Sequence, residues 1–234
     1  MGGAQSNKGK HPPLQEMGDR SKELVKLMMP VYYNDAMISK DEHGAASSTW
    51  QMILSNTAPE FLDQRKRDPA FRKKFTTSIM YFSHCFYARL FNIHPMAKDL
   101  FKDMKSQGKF LVKMISLSLS ELTDGDKFRS TLVKLAEIHN ERGVKAVEYG
   151  VVGEVLIHAI RSTVGAEAFN PTVHLAWIKI YSRMLKTMVP VAVAHELRDN
   201  SAQTKRFLTN SLGVSGEEDL LNGMVQGSMS GNSN

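Results

Sequence analysis

The chain has 234 residues, a length suited to one or two domains, and 42 % of them are hydrophobic, enough for a core of its own. Its net charge of +6 comes from scattered basic residues, apart from Arg65-Lys66-Arg67 and Arg72-Lys73-Lys74. With no aromatic interleaving or recognition-helix pattern around those runs, the sequence argues against a nucleic-acid partner and reads them as a solvated loop and a helix start. The single Cys85 excludes a disulfide framework within the chain and fits a reducing, cytoplasmic compartment; no apolar run reaches the roughly 18 residues of a membrane span, and no apolar secretory segment opens the sequence.

The first residues, MGGAQSNKGKHPP, match the pattern M-G-x-x-x-[ST], which makes Gly2 a candidate for N-myristoylation. One acyl chain binds membranes marginally and reversibly; Lys8 and Lys10 would strengthen it, so the expectation is peripheral association with a membrane surface. Residues 20–34 read as a short helix stopped by Pro30, and residues 1–38 as a flexible N-terminal extension. Ser39-Lys40-Asp41-Glu42 is a capping box, with Ser39 as cap and Glu42 reaching back, and opens a helix through Trp50, Ile53 and Leu54. A polar insert, APEFLDQRKRDPAFRK, follows at about 60–75, with Pro59 at its start and Pro69 within it.

The stretch FTTSIMYFSHCFYARLF has helical spacing at Ile79, Phe82, Phe86, Tyr87 and Leu90, and His94-Pro95 breaks it. A turn leads to Leu100-Phe101. Helices follow at about 105–122, 127–140, 146–164 and 171–198, the last opened by Asn170-Pro171 and carrying Pro190. Beyond Asn200 the sequence is rich in Ser, Gly and Asn, so residues 199–234 read as a polar, partly disordered tail. Strand-like alternation is scarce. The chain reads as all-α, with one domain from 39 to 198.

The most informative stretch is LAEIHNERGVKAVEYGVVGEV, which begins at Leu135. His139 ends an apolar-faced helix, Gly143 follows four residues later and Tyr149 ten residues later. A histidine where a helix gives way to a loop can turn one ring nitrogen toward a planar metal cofactor. Leu132, Leu135 and Ile138 share its helical face and would form the apolar wall beside that cofactor. A lone histidine at such a position is more often a surface residue favoured by the helix dipole. Three further features change that balance: FYARLFNIHPMAKDLF, with its aromatic pair, proline and Leu-Phe; Gln107, 32 residues before His139; and the closing helices VVGEVLIHAI and HLAWIKIYSRML.

In this order and spacing, the chain resembles the globin family, and within it the single-domain bacterial and protist globins similar to flavohaemoglobin haem domains. The resemblance implies a three-over-three helical sandwich around one haem b (iron protoporphyrin IX). It places His139 as the proximal iron ligand, Phe101 on the haem face, and Pro95 at the turn between the second and third helices. Tyr87 and Gln107 fall at the distal positions, with Leu111 as the apolar residue on the same distal face. Leu135, Val144, Val152 and Leu156 line the proximal side, and Tyr149 falls at the proximal tyrosine of the bacterial type. The segment between Phe101 and Gln107 is short, and sliding it would put Met104 or Lys105 at the distal position; the spacing from Gln107 to His139 favours Gln107.

Tyrosine donates one hydrogen bond and a glutamine amide donates more, so Tyr87 and Gln107 together would stabilise bound oxygen and slow its release. The resemblance therefore implies reversible oxygen binding for storage, transport, scavenging or sensing. The alternative it carries is a nitric oxide dioxygenase fed by a separate reductase, since only about 35 residues follow the last helix and none forms a Gly-rich nucleotide loop. The glutamate that accompanies the proximal tyrosine in the bacterial type falls on Ala192, with Glu196 one turn beyond.

Overall fold

A computed structural model describes residues 17–101, 103–120 and 125–212; Gly2 and the myristoylation pattern lie outside them. The described residues are helical with no strand. In chain order the helices are α1 (Asp19–Met28), α2 (Lys40–Leu54), α3 (Pro59–Arg67), α4 (Pro69–Lys74), α5 (Ser78–Ile93), a 3-10 helix (Pro95–Leu100), α6 (Met104–Ser120), α7 (Asp126–Glu141), α8 (Glu148–Val164) and α9 (Pro171–Leu212). The described residues divide at Val193, with those up to it in one unit and those from Ala194 in a second.

Within the first unit, α5 lies along α8, and α2 packs on both. The core is aromatic where these helices meet. Trp50 stands edge-on to Phe82 at 5.3 Å and to Trp177 at 6.1 Å, and all three rings are buried. Each indole N–H has a partner: Trp177 Nε1 donates to Thr49 Oγ1 (3.0 Å) and Trp50 Nε1 to Ser116 Oγ (2.9 Å), so burial leaves neither donor stranded. The capping box forms as expected, Ser39 Oγ accepting from Glu42 N and Glu42 Oε2 from Ser39 N. The other carboxylate oxygen of Glu42 accepts from Lys179 Nζ at 2.6 Å, tying the start of α2 to α9.

Two stretches differ from the sequence reading. The segment 60–75, read as a polar insert, forms the two short helices α3 and α4: Arg65-Lys66-Arg67, read as a solvated loop, ends α3, and Arg72-Lys73-Lys74, read as a helix start, ends α4. Its prolines open helices instead of breaking them, because a first-turn residue has no helical partner for its N–H to lose. Its charges hide the apolar residues Phe61 and Phe75, which are buried and pack on Tyr81. The basic triplets fall in the last turns, where cations meet the negative end of the helix dipole. The final helix also runs past 198 to Leu212: the stretch DNSAQTKRFLTNSL contains no Gly or Pro to stop it.

Candidate functional site

His139 is set by the way α7 ends. Leu132 and Ala136 bury the inner face of the helix, and Gly143 closes it at φ +80°, a left-handed backbone conformation that costs glycine little. Val144 N then donates to His139 O (3.0 Å) and Gly143 N to Asn140 O (2.9 Å), the paired bonds of a Schellman turn. His139 therefore sits on the turn that terminates its helix, with its backbone carbonyl used in the closure. Its ring Nδ1 donates to Leu135 O at 2.9 Å. A carbonyl can only accept, so the proton is on Nδ1 and Nε2 carries a free lone pair. Burial holds the imidazole below its ordinary pKa, with Arg142 adding to the effect against the Leu135 bond. The ring is thus neutral at neutral pH. Tyr149, from the first turn of α8, places its ring edge-on to His139 at 5.7 Å.

The expected distal residues come from α5 and α6. Tyr87 is buried at the centre of an aromatic group: Phe86 at 5.2 Å, Phe101 at 5.3 Å and Phe91 at 5.9 Å. Pro95 starts the 3-10 helix that turns the chain after α5, and Phe101 caps its far end, which brings Phe101 back over Tyr87 and Phe91. Burial pushes the Tyr87 hydroxyl up to about 12, so it stays a protonated donor. On α6, Gly108 passes close to Tyr87: a Cβ there would lie 4.0 Å from Tyr87 Cε2. Beside it, Gln107 Oε1 is buried with no hydrogen-bond partner. Leaving such an atom unsatisfied costs on the order of 1–3 kcal/mol, unless something enters to meet it.

The apolar residues that the globin resemblance assigns to the haem surround differ in burial. Phe101, Leu111, Leu135, Val144 and Val152 are all half-buried, not closed into a core. Tyr149 and Leu156 by contrast are buried. Phe110, Ile138 and Val147 are exposed on the same elements at 49, 43 and 59 %. An apolar surface of this kind calls for a partner to cover it. Taken with a neutral imidazole whose Nε2 carries no proton and a buried Gln107 Oε1 without a partner, the residues present fit a haem. No cluster of three or more His, Cys, Asp or Glu suited to a metal ion occurs among the described residues; His139 is the iron ligand that the globin resemblance implies.

Several parts of the site escaped the sequence reading. Gly108 gave no signal beyond being a glycine in a helix. His94 looked only like a helix breaker, yet its Nε2 donates to Glu148 Oε1 at 2.6 Å, while Glu148 Oε2 accepts from Lys145 N at 2.6 Å. That carboxylate therefore ties the corner after α7 to the corner after α5. Of the alternative distal residues, Met104 is 38 % exposed at the start of α6, and the Lys105 side chain lies outside the described residues. Ala192 is buried and offers no carboxylate; Glu196 belongs to the second unit.

Comparison with known proteins places this geometry among relatives. A family model described as Globin matches residues 84–188. Neuroglobin of Tetraodon nigroviridis is 26 % identical over 117 residues, which is 44 % of this chain and 73 % of that protein. The flavohemoprotein of Rhizobium meliloti (strain 1021) is 25 % identical over 103 residues, 42 % of this chain but only 25 % of that protein. The globin polymeric component P3 of Glycera dibranchiata reaches 37 % identity over 62 residues, 26 % of this chain and 42 % of that protein. The matched span holds Tyr87, Phe101, Gln107, His139 and Tyr149.

Proposed function

Because the chain belongs to the globin family, and so to proteins that bind diatomic gases at a haem, we propose that it binds oxygen reversibly at a haem b held by His139. When bound, the haem iron supplies an electron-rich centre that can share charge with a diatomic gas. His139 Nε2 would hold the iron through its lone pair, and the Leu135 carbonyl keeps that ring in the one tautomer able to donate it. Phe101, Leu111, Leu135, Val144 and Val152 provide the apolar contact that retains the macrocycle and keeps water out; Tyr149 and Leu156 back the proximal wall. Tyr87 donates a hydrogen bond into the gas pocket from a site dry enough to strengthen it, and Gln107 adds an amide donor. The observation that carries this reading is the neutral, Nδ1-tethered His139, which has one lone pair and no other assigned task.

A second reading, a nitric oxide dioxygenase served by a separate reductase, has one observation in its favour: Tyr149 stands against the His139 ring, where it can tune that ligand. Rapid, stoichiometric conversion of nitric oxide to nitrate by the oxygenated protein would decide for it. For location we propose the inner surface of a membrane, with an acylated Gly2 helped by Lys8 and Lys10. No helix among the described residues is long and apolar enough to cross a membrane.

The test of the main reading is an ultraviolet–visible titration of the purified chain with haemin, in ferric, ferrous and oxygen-equilibrated ferrous forms, beside His139→Ala. A Soret band and a stable oxygenated spectrum in the parent chain, lost in the variant, would support it. A parent chain that takes up no haem would refute it.

A further inference from the structure

Between α1 and α2 the chain crosses α8 without helical structure, and two buried glycines of α8 receive it. Pro30 lies against Gly150, where a Cβ would come 3.1 Å from Pro30 Cβ. At Gly153, one helical turn along the same face, a Cβ would collide with Tyr32 Oη and approach the Tyr181 ring. Gly150 and Gly153 thus form a notch, and a proline and a tyrosine of the N-terminal segment fill it. Tyr32 Oη donates to Gly150 O at 2.6 Å. Further on, Asn34 N donates to Ser182 Oγ (3.0 Å) and Met37 O accepts from Lys179 Nζ (3.3 Å), fastening the segment to α9.

The notch lies in the turn that carries Tyr149. Tyr181 Oη donates to Tyr149 O at 2.7 Å, and Tyr32 Oη donates to the next carbonyl in the chain. Each of those carbonyls has two lone pairs, one for its helical N–H partner and one for a phenol. Two tyrosines from different elements therefore grip successive peptide units of α8. The side chain borne by that gripped turn is the Tyr149 ring, which meets the His139 ring edge-on. Burial, with the Glu154 carboxylate adding to it, holds the Tyr32 hydroxyl well above its ordinary pKa, so it remains a donor across the physiological range.

We propose that the segment 30–32 is a strap that sets the position of His139 through the first turn of α8, with Tyr32 as a positioning residue acting through the Gly150 carbonyl and the Tyr149 ring. The inference rests on the reading of His139 as the haem ligand. It gives the N-terminal extension a task at the proximal side, beyond linking a membrane anchor to the helical domain.

The experiment uses the full chain with Tyr32→Phe and, as a control, Ser182→Ala. The first removes the strap's bond to α8 and keeps the ring in the notch; the second removes a strap bond to α9 and leaves the notch untouched. In the haem-free chain, the readouts are the His139 ring signals by NMR, assigned with His139→Gln, and amide exchange over 149–153. In the haem-loaded ferrous chain, the readout is the iron–histidine stretching band. Tyr32→Phe should move the His139 ring signals and the band, and speed exchange over 149–153 roughly 2- to 12-fold, the worth of one ordinary hydrogen bond. Ser182→Ala should leave all three in place.

A Tyr32→Phe protein that only unfolds more readily, with His139 signals and band unmoved, would overturn the proposal. So would a Ser182→Ala protein that moves them as far. Pro30→Ala, read in the same way, serves should Tyr32→Phe not fold. If the parent chain takes up no haem, the haem reading fails by itself, and the haem-free signals still decide whether the strap positions His139.

Discussion

The proximal and distal sides of the site are built on opposite terms. On the proximal side the backbone around His139 and its ring Nδ1 are tied into the chain. Leu135 O takes its Nδ1, a Schellman turn uses its carbonyl, Glu148 ties the following corner, and two tyrosines grip the start of α8. On the distal side the packing is aromatic, with Phe86, Phe91 and Phe101 around Tyr87, and the Gln107 amide oxygen is left buried without a partner. A ligand that must stay for the life of the protein needs a rigid, fully bonded holder. A gas that must come and go needs polar groups whose bonds it can form and release, and the Gln107 amide can turn its N–H toward it. The contrast implies that proximal changes disturb cofactor retention, whereas distal changes disturb gas release and spare the fold.

The largest effect should come from breaking the tied side at its centre. Altering the groups that merely orient a metal-bound histidine typically costs about 10- to 100-fold in affinity. Replacing the donor itself, His139→Ala, should therefore weaken haem retention by at least about 100-fold, read by transfer of haem to an acceptor apoprotein. Retention within a few-fold of the parent chain would place the ligand elsewhere and dissolve the distinction between the sides. Next in size is Tyr87→Phe. A hydrogen bond to a charged or polarised group is worth about 1.5–3 kcal/mol, so stopped-flow oxygen dissociation should accelerate roughly 10- to 150-fold, with haem retention unchanged. An unchanged rate would remove Tyr87 from the distal role.

Much of this was legible in the sequence, for physical reasons that differ by element. Helix α7 and its end could be read because apolar spacing, a terminal histidine and a glycine four residues on are all local signals, and the Schellman turn is made from those same residues. The capping box at Ser39 was legible for the same reason. The distal set was readable only through order and spacing matched to a family, since nothing local separates Tyr87 from an ordinary core tyrosine. What stayed hidden depends on contacts between residues far apart in the chain. Tyr32 meets α8 across 118 positions, and Gly150 and Gly153 look like weak helix residues until the strap is seen in the notch. Phe61 and Phe75 were masked by the charges around them, so α3 and α4 read as an insert.

A finer test of the distal side is Gln107→Leu, because it should separate function from stability with opposite signs. The amide is a neutral donor, worth about 0.5–1.5 kcal/mol, so oxygen dissociation should rise only about 2- to 12-fold. The same change removes a buried oxygen that has no partner and keeps a good helix former at the position. The haem-free chain should therefore become more stable by up to about 1 kcal/mol in urea unfolding. A Leu variant that loses stability would mean that Gln107 is bonded in solution, and the distal side would then be as tied as the proximal one.

The smallest expected effect is none at all, and it is informative for that reason. The Tyr87 hydroxyl is pushed up to about 12 by burial alone. It therefore keeps its proton, and its capacity to donate, from about pH 6 to about pH 10, a range in which an exposed tyrosine would begin to ionise. Burial raises the value because desolvation penalises the phenolate and not the phenol. Oxygen dissociation from the parent chain should accordingly be flat across that range, and flat again, at a faster rate, in Tyr87→Phe. A parent rate that climbs toward pH 10 while the Phe variant stays level would show Tyr87 ionising early, and hence water reaching it. The distal side would then be open to solvent as well as to gas, and the strength assigned to its hydrogen bond would have to fall with it.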